Sequence, residues 1–181
     1  MIPMNLTKSI SILIILSIVL ISCNNRDEER QGQVNDAALE EALLKANIEA
    51  VRVEDQQIDD FVDRNQWEVQ KTGTGLRYLI YETGNGEKAE EGMVAEIEFE
   101  IRLISGELVY SSDVNGPKEF LIGKGGVEPG LEEGILLLHE GDRAKFILPS
   151  HRAFGLTGDQ DKIPPKATLI YDVKLIKIKG Y

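Results

Sequence analysis

The 181-residue chain holds one cysteine, two histidines and one tryptophan, and aromatic residues make up only 6% of it. A lone cysteine excludes an intramolecular disulfide framework. His139 and His151 are far apart and lack the spacing of metal ligands, so both read as surface-loop residues and no zinc site is expected. Positive charge is scarce: 20 Lys and Arg against 31 Asp and Glu give a formal charge of −11, with no Lys/Arg cluster. That excludes the basic patch that neutralises phosphates, so no nucleic-acid partner is expected. A long hydrophobic run is also missing. The stretch Ile10 to Ile21 is apolar except for two serines, which is short of the roughly 20 residues that a spanning helix requires. Gly123-Lys-Gly-Gly126 lacks the full phosphate-loop pattern and reads as a turn.

What the N-terminus does have is the layout of a signal peptide over residues 1–22. Lys8 supplies the positive charge, an apolar core follows, and small residues end it. Leu20-Ile21-Ser22-Cys23 resembles a bacterial lipobox. The resemblance implies lipidation of the Cys23 sulfur and cleavage before it, giving a membrane-anchored lipoprotein. Two or more acyl chains anchor stably where one does not. No aspartate follows Cys23, which resembles sorting to the outer membrane, facing the periplasm. Residues 23–34 are polar and are expected to be a flexible tether.

Residues 35–70 read as a helical extension. Leu39, Ala42, Leu43, Ala46 and Ala50 recur at spacings of three and four. Glu54-Asp55 opens a second expected helix, striped by Ile58, Phe61 and Val62, with Trp67 just beyond it. The extension is either an appendage packed on the domain or a dimerisation arm, and the expected state is a monomer. From residue 71 to 181 the period changes to two. Ala95, Ile97, Phe99, Ile101 and Leu103 alternate with Glu96, Glu98, Glu100 and Arg102, the pattern of an antiparallel strand covered on one side. Pro129 sits in the first turn of a short helix whose Leu131, Ile135 and Leu138 share a face. The expected class is α+β: a twisted antiparallel sheet wrapped around one short helix, able to fold without the helical extension.

Gly130-Leu-Glu-Glu-Gly134, Glu140-Gly-Asp-Arg-Ala-Lys145, Ala153-Phe-Gly155, Ile163-Pro-Pro-Lys-Ala-Thr-Leu169 and Tyr171-Asp-Val-Lys-Leu-Ile-Lys177 follow in order. In this order and spacing they resemble the FKBP-type peptidyl-prolyl cis/trans isomerases over residues 72–179. Lipobox, helical lead-in and C-terminal domain together resemble the gliding-motility-associated lipoproteins of that family. The resemblance implies binding of proline-containing polypeptides in a shallow apolar pocket and non-covalent catalysis, with no cofactor, metal, nucleophile or acid–base residue.

The pocket positions it implies are Phe99, Val109, Tyr110, Val127, Glu128, Leu131, Phe154, Ile163 and Tyr171. Several depart from the family pattern. Phe99 and Phe154 stand in place of tyrosines, Val109-Tyr110 in place of Phe-Asp, and Leu131 in place of the tryptophan of the floor. Tyr171 replaces phenylalanine and Lys118 a common aromatic, whereas Val127 and Ile163 match. Glu128 occupies the position whose backbone N–H holds a substrate carbonyl. The pocket therefore keeps its apolar character but loses aromatic area and two polar handles. Without the resemblance, Phe99, Val127, Leu131, Ile163 and Tyr171 read simply as core.

Three functions follow from these residues. The leading one is an isomerase that assists folding of exported or cell-surface proteins. The others are a weakly active or inactive binding module for unfolded chains, and a structural lipoprotein of a surface machine. The lipid anchor is open to direct test. Cys23→Ser is expected to abolish incorporation of a fatty-acid analogue in cells and to leave the precursor uncleaved. Equal labelling of both versions would remove the lipoprotein reading.

Overall fold

The computed structural model describes residues 25–180, so the signal segment and Cys23 lie outside the described residues. A single helix, α1 (Asn25–Asn65), replaces the two expected ones and begins within the stretch expected to be a tether. The sequence offers no proline across it, and Arg52-Val-Glu-Asp55 lacks a breaker. Glu, Gln, Ala, Leu and Arg are good helix formers. An i,i+4 ion pair, Lys45 to Glu41 at 2.7 Å, adds local support. Up to residue 50 the helix belongs to one unit, in which Leu39, Leu43, Leu44 and Ile48 are each more than half exposed.

The second compact unit begins at Val51, not at residue 71. It contains the strands β1 (Gln70–Lys71), β2 (Arg77–Glu82), β3 (Met93–Leu103), β4 (Leu108–Ser111), β5 (Lys118–Leu121), β6 (Arg143–Leu148) and β7 (Leu169–Gly180). Three short helical turns join them: α2 (Ser112–Asn115), α3 (Pro129–Ile135) and a 3-10 turn at Ser150–Arg152. The strands form one antiparallel sheet in the order β1-β2-β6-β7-β3-β4, with β5 also pairing with β3.

Strand β3 pairs with β7 along its whole length, from Met93↔Gly180 to Leu103↔Leu169. Its odd residues Ala95, Ile97, Phe99 and Ile101 are buried, as the alternation predicts. A register shift between Glu96 and Ile97 changes the parity of β7: Tyr171, Val173 and Leu175 are buried on one side of it, and Ile178 on the other. One face of the sheet packs with α3 in the main core, where Leu131, Ile135, Phe146 and Leu148 are fully buried. Gly134 is required there: a Cβ on it would lie 2.9 Å from the Phe146 ring. The helix backbone lies directly against that ring, and a side chain at Gly134 would push the two apart.

The sheet was expected to be covered on one side only. Its other face carries a second cluster, in which Ile58 and Val62 of α1 pack on Ile147 and Ile170, flanked by Phe61, Trp67, Val69 and Ile104. Phe61 and Trp67 meet edge to face, with ring centres 5.4 Å apart. Ile147, in line with Arg143 and Lys145 of β6, and Ile170, in line with Asp172 and Lys174 of β7, are apolar residues at positions that read as polar-side in a period-two pattern, and they were the available signal for this second layer.

Charge fixes the same segment of α1 to the sheet. The Arg77 side chain is 1% exposed and donates to Asp55 at 2.7 Å and to Asp59 at 2.5 Å. Glu54 accepts from the Ser150 N–H at 2.6 Å, the Ser150 hydroxyl at 2.9 Å and the Thr168 hydroxyl at 2.7 Å. A buried guanidinium stripped of its carboxylates is costly. The last turns of α1 are therefore packed into the same compact unit as the sheet.

Ile58→Ala is expected to lower the unfolding free energy by about 2–5 kcal/mol, because it opens a cavity between helix and sheet. Leu43→Ala, at an exposed position, is expected to change it by less than about 0.5 kcal/mol. Urea denaturation of both variants checks this, and similar losses would contradict the difference in packing.

Candidate active site

At one edge of the core, β3, β4, the start of β5, the entry to α3 and the 152–163 loop enclose a cavity of about 450 Å³. Inward-facing Phe99 and Ile101 of β3 form its apolar side, because β3 alternates. Tyr110 enters from β4, Phe154 and Asp159 from the loop, and Glu128 from the residue just before Pro129 of α3. Asn115, Gly116, Pro117 and Lys118 close the far side.

Of the expected pocket residues, Phe99, Tyr110, Glu128 and Phe154 reach this cavity. Leu131, Ile163, Tyr171 and Val109 do not. They are 0%, 2%, 1% and 4% exposed and belong to the core beneath it. Val109 and Tyr110 are neighbours on one strand, so their side chains leave it on opposite faces and only one can line the cavity. Val127 is half-buried against the same core. Ile101, Asn115, Gly116, Pro117 and Asp159 line the cavity without having been singled out. Ile101 was visible as part of the apolar alternation. Asp159 gave no signal beyond following Gly158 in a loop.

The rim between β4 and the loop is set by Asp159. Its Oδ1 accepts from the N–H groups of Asp161 at 2.9 Å and Ile163 at 2.8 Å, and its Oδ2 accepts from the Tyr110 hydroxyl at 2.5 Å. The Tyr110 hydroxyl also approaches Asp161 at 3.1 Å. Gly158 has φ +67°, and a Cβ there would lie 2.1 Å from the Ile163 carbonyl oxygen, so the turn tolerates only glycine. Donation to the Asp159 carboxylate, then burial, pushes the Tyr110 phenol far above its ordinary value. Burial opposes ionisation of Asp159, yet its hydrogen bonds outweigh it and hold the carboxyl below the usual range. The Lys162 ammonium lies 5.0 Å above the Tyr110 ring and donates to the Val109 carbonyl at 3.2 Å. The polar handles expected to be lost are thus partly rebuilt, with the tyrosine on the strand and the aspartate on the loop.

The floor holds an unusual polar pair. The Tyr171 hydroxyl and Glu128 Oε2 are both buried, and neither has a hydrogen-bond partner among the described residues. Burial, followed by the nearby Glu128 charge, raises the Tyr171 phenol well above its ordinary value. The Tyr171 hydroxyl stands close enough to the Glu128 carboxylate for hydrogen bonding to add to that rise, although the pair falls outside strict hydrogen-bond geometry.

Other motif residues have structural roles. Glu132 Oε1 accepts from the N–H groups of Gly123, Lys124 and Gly125 at 2.7, 3.0 and 3.2 Å, so the chain's own carboxylate occupies this glycine-rich turn. Glu133 accepts from Thr74 at 2.7 Å and from Arg152 at 2.8 Å, which ties α3 to the start of the 152–163 loop. Buried Asp142 accepts from the N–H groups of Gly84 and His139 at 2.6 and 2.7 Å. His139 and His151 are exposed. Among the described residues no group of three or more His, Cys, Asp or Glu is placed to hold a metal ion.

A sheet curled over one short helix, with an apolar cavity at the helix entry, defines the FKBP class. The sequence model of the FKBP-type peptidyl-prolyl cis-trans isomerase family matches residues 85–176, half of the chain. The chain belongs to that family. It is 43% identical over 111 residues to a protein of Neisseria meningitidis named probable FKBP-type peptidyl-prolyl cis-trans isomerase FkpA; the match covers 61% of this chain and 40% of that protein. To FkpA of Aeromonas hydrophila it is 33% identical over 159 residues, covering 84% and 58% of the two chains. The crystal structure of FkpA from Escherichia coli superposes with a TM-score of 0.63 at 26% identity, covering 96% of this chain and 82% of that one. The chain spans about two fifths of the length of the Neisseria relative.

The rim pair predicts a pH dependence. The folded pKa of Asp159 is depressed, so its contribution is fully present above the unfolded value of about 3.9 and is lost as pH falls through the lower folded value. Tyr110→Phe is expected to cost about 1 kcal/mol of stability. The difference from the unaltered protein should be constant from about pH 8 down to about pH 5 and shrink only in stronger acid. Denaturation series at several pH values read this, and a difference that vanished near neutrality would remove the carboxylate from the account.

Proposed function

We propose that the protein is a peptidyl-prolyl cis/trans isomerase, anchored through lipid on Cys23 and acting on proline-containing segments of exported or cell-surface polypeptides. The apolar cavity of Phe99, Ile101 and Phe154, rimmed by the Tyr110–Asp159 pair, is the observation that carries this reading. An Xaa–Pro amide turns against a barrier of roughly 18–20 kcal/mol, held by resonance that places negative charge on its oxygen. Water stabilises that charge-separated planar form. A site that excludes water withdraws this help, and one shaped for the twisted amide binds it more tightly than either planar isomer. Differential binding of this kind uses no covalent or acid–base step.

The order of lipobox, helix and C-terminal domain supports a more specific placement, in a gliding-motility lipoprotein on the periplasmic face of the outer membrane. Lipidation is the first thing to establish for that placement. The departures at Val109 and Leu131, which reduce aromatic area beneath the cavity, favour a second reading: a binding module for unfolded chains, or a subunit of a surface machine, with little catalysis.

A protease-coupled isomerisation assay on the protein processed at Cys23 separates these readings. Phe154 is partly exposed and lines the cavity, so Phe154→Ala should leave the fold intact. It is expected to lower kcat/KM about tenfold, equivalent to ~1.4 kcal/mol of transition-state binding. Ile163→Asp is a poorer test, because Ile163 is 2% exposed and the charge would be buried in the core. Suppression of aggregation that survives Phe154→Ala, with no isomerisation by either protein, would favour the binding module.

A further inference from the structure

The cavity is apolar on one side but contains a carboxylate whose acceptor capacity is not used. Two carboxylates line it, Asp159 and Glu128. Asp159 already accepts from two backbone N–H groups and the Tyr110 hydroxyl. Glu128 Oε2 is buried and unpartnered, and the Tyr171 hydroxyl in the floor, on a side chain 1% exposed, is unpartnered too. Buried polar groups are normally satisfied, and an unmet carboxylate oxygen is a costly exception. Tyr171 has a single O–H to give, whereas a carboxylate has about four lone-pair sites. Even a small rotation that joined the two would leave Glu128 able to accept more. Oε2 itself is closed off, but Glu128 is only half-buried and lines the cavity, so its other oxygen faces solvent or whatever occupies the cavity.

We propose that Glu128, positioned by Tyr171, is a specificity-determining residue that selects proline segments carrying a lysine or arginine next to the proline. This rests on the isomerase reading of the cavity and names the substrate class of that site. Glu128 sits at the residue before Pro129, on the entry to α3, so its side chain is held by a short rigid turn. A cationic side chain entering beside the proline ring supplies several N–H donors and neutralises the carboxylate, which an apolar or acidic side chain cannot do. The overall charge of −11 draws cationic segments towards the protein and repels acidic ones. Lys118 lines the same cavity and is the internal competitor for Glu128.

The test uses the full processed protein and a set of short peptides that differ only in the residue preceding proline: lysine, leucine or glutamate. The unaltered protein is expected to favour the lysine peptide over the glutamate peptide by about tenfold in kcat/KM, as befits one charge-assisted hydrogen bond in a partly open site. Glu128→Gln keeps the shape and removes the charge, and should bring that ratio close to one. Tyr171→Phe should reduce the ratio in part, and Lys118→Met should increase it. Affinities for the same peptides, followed by NMR titration, read the selection whether or not a rate is detected. Equal affinities for the lysine and glutamate peptides, or a preference unchanged in Glu128→Gln, would overturn the proposal. Active isomerisation without preference would overturn the proposal alone, whereas selective binding without isomerisation would overturn the catalytic reading and keep the selection.

Discussion

The pairing of β3 with β7 is the constraint on which the rest of this domain hangs. These two strands run together along all of β3, and the other strands attach to them: β6 to β7, β4 and β5 to β3, and β2 to the far edge of β6. Their register also builds the site. Phe99 stands opposite Val173, and Ile101 opposite Tyr171, so the residues of the cavity wall and its floor are neighbours across one ladder. A slip by one residue would turn Phe99 and Ile101 to the other face and remove the cavity with the core.

The opposite face imposes a second requirement. Burial of Ile58 and Val62 on Ile147 and Ile170 is apolar and non-directional, so it tolerates sliding of the helix. The Arg77 pairs with Asp55 and Asp59 are directional and limit that sliding. Glu54 extends the same clamp to Ser150 and Thr168, which stand at the two ends of the segment carrying Phe154, Asp159 and Ile163. The end of α1 thus secures both roots of the loop that walls the cavity. Asp55 itself is held below the ordinary carboxylate range, first by its bond from Lys71 and then, against the cost of burial, by Arg77. The Asp55 contribution is fully present above the unfolded value of about 3.9 and is lost only as pH falls through the lower folded value.

The parts of this architecture that the sequence exposed are those with a period. The β3 alternation announced Phe99 and Ile101 as inward-facing, and Pro129 with Leu131 and Ile135 announced the covered helix. Membership of the family followed from ordered motifs, several of which serve as braces: Glu132 satisfying the Gly123–Gly125 amides, Glu133 holding Arg152, Asp142 holding Gly84 and His139. What the sequence hid has no period. Nothing periodic marks Arg77, yet it is 1% exposed because two acids from a distant helix meet it. The reach of α1 into the domain was obscured in the same way. A boundary was expected where the pattern changed from helix to strand, whereas compactness depends on which side chains interlock.

The distinction between lining and support also follows from geometry that residue matching does not carry. Val109, Leu131, Ile163 and Tyr171 were expected to line the pocket but lie below the cavity surface. Where a tryptophan floor would project, Leu131 is shorter, and the cavity is bounded instead by Phe99, Ile101 and Phe154. If the cavity takes proline segments as proposed, less aromatic surface beneath it leaves dispersion and apolar burial a smaller share of substrate binding. Directional groups then have more influence on selection, because an unmet hydrogen bond in a dry site discriminates more strongly than a missing methylene. Exchange of a phenylalanine for Tyr171, and the presence of a carboxylate at Glu128, place two such groups together where the core meets the cavity. On the reading proposed above, the smaller aromatic area and the polar pair fall in one site, and together they would move recognition from shape towards charge.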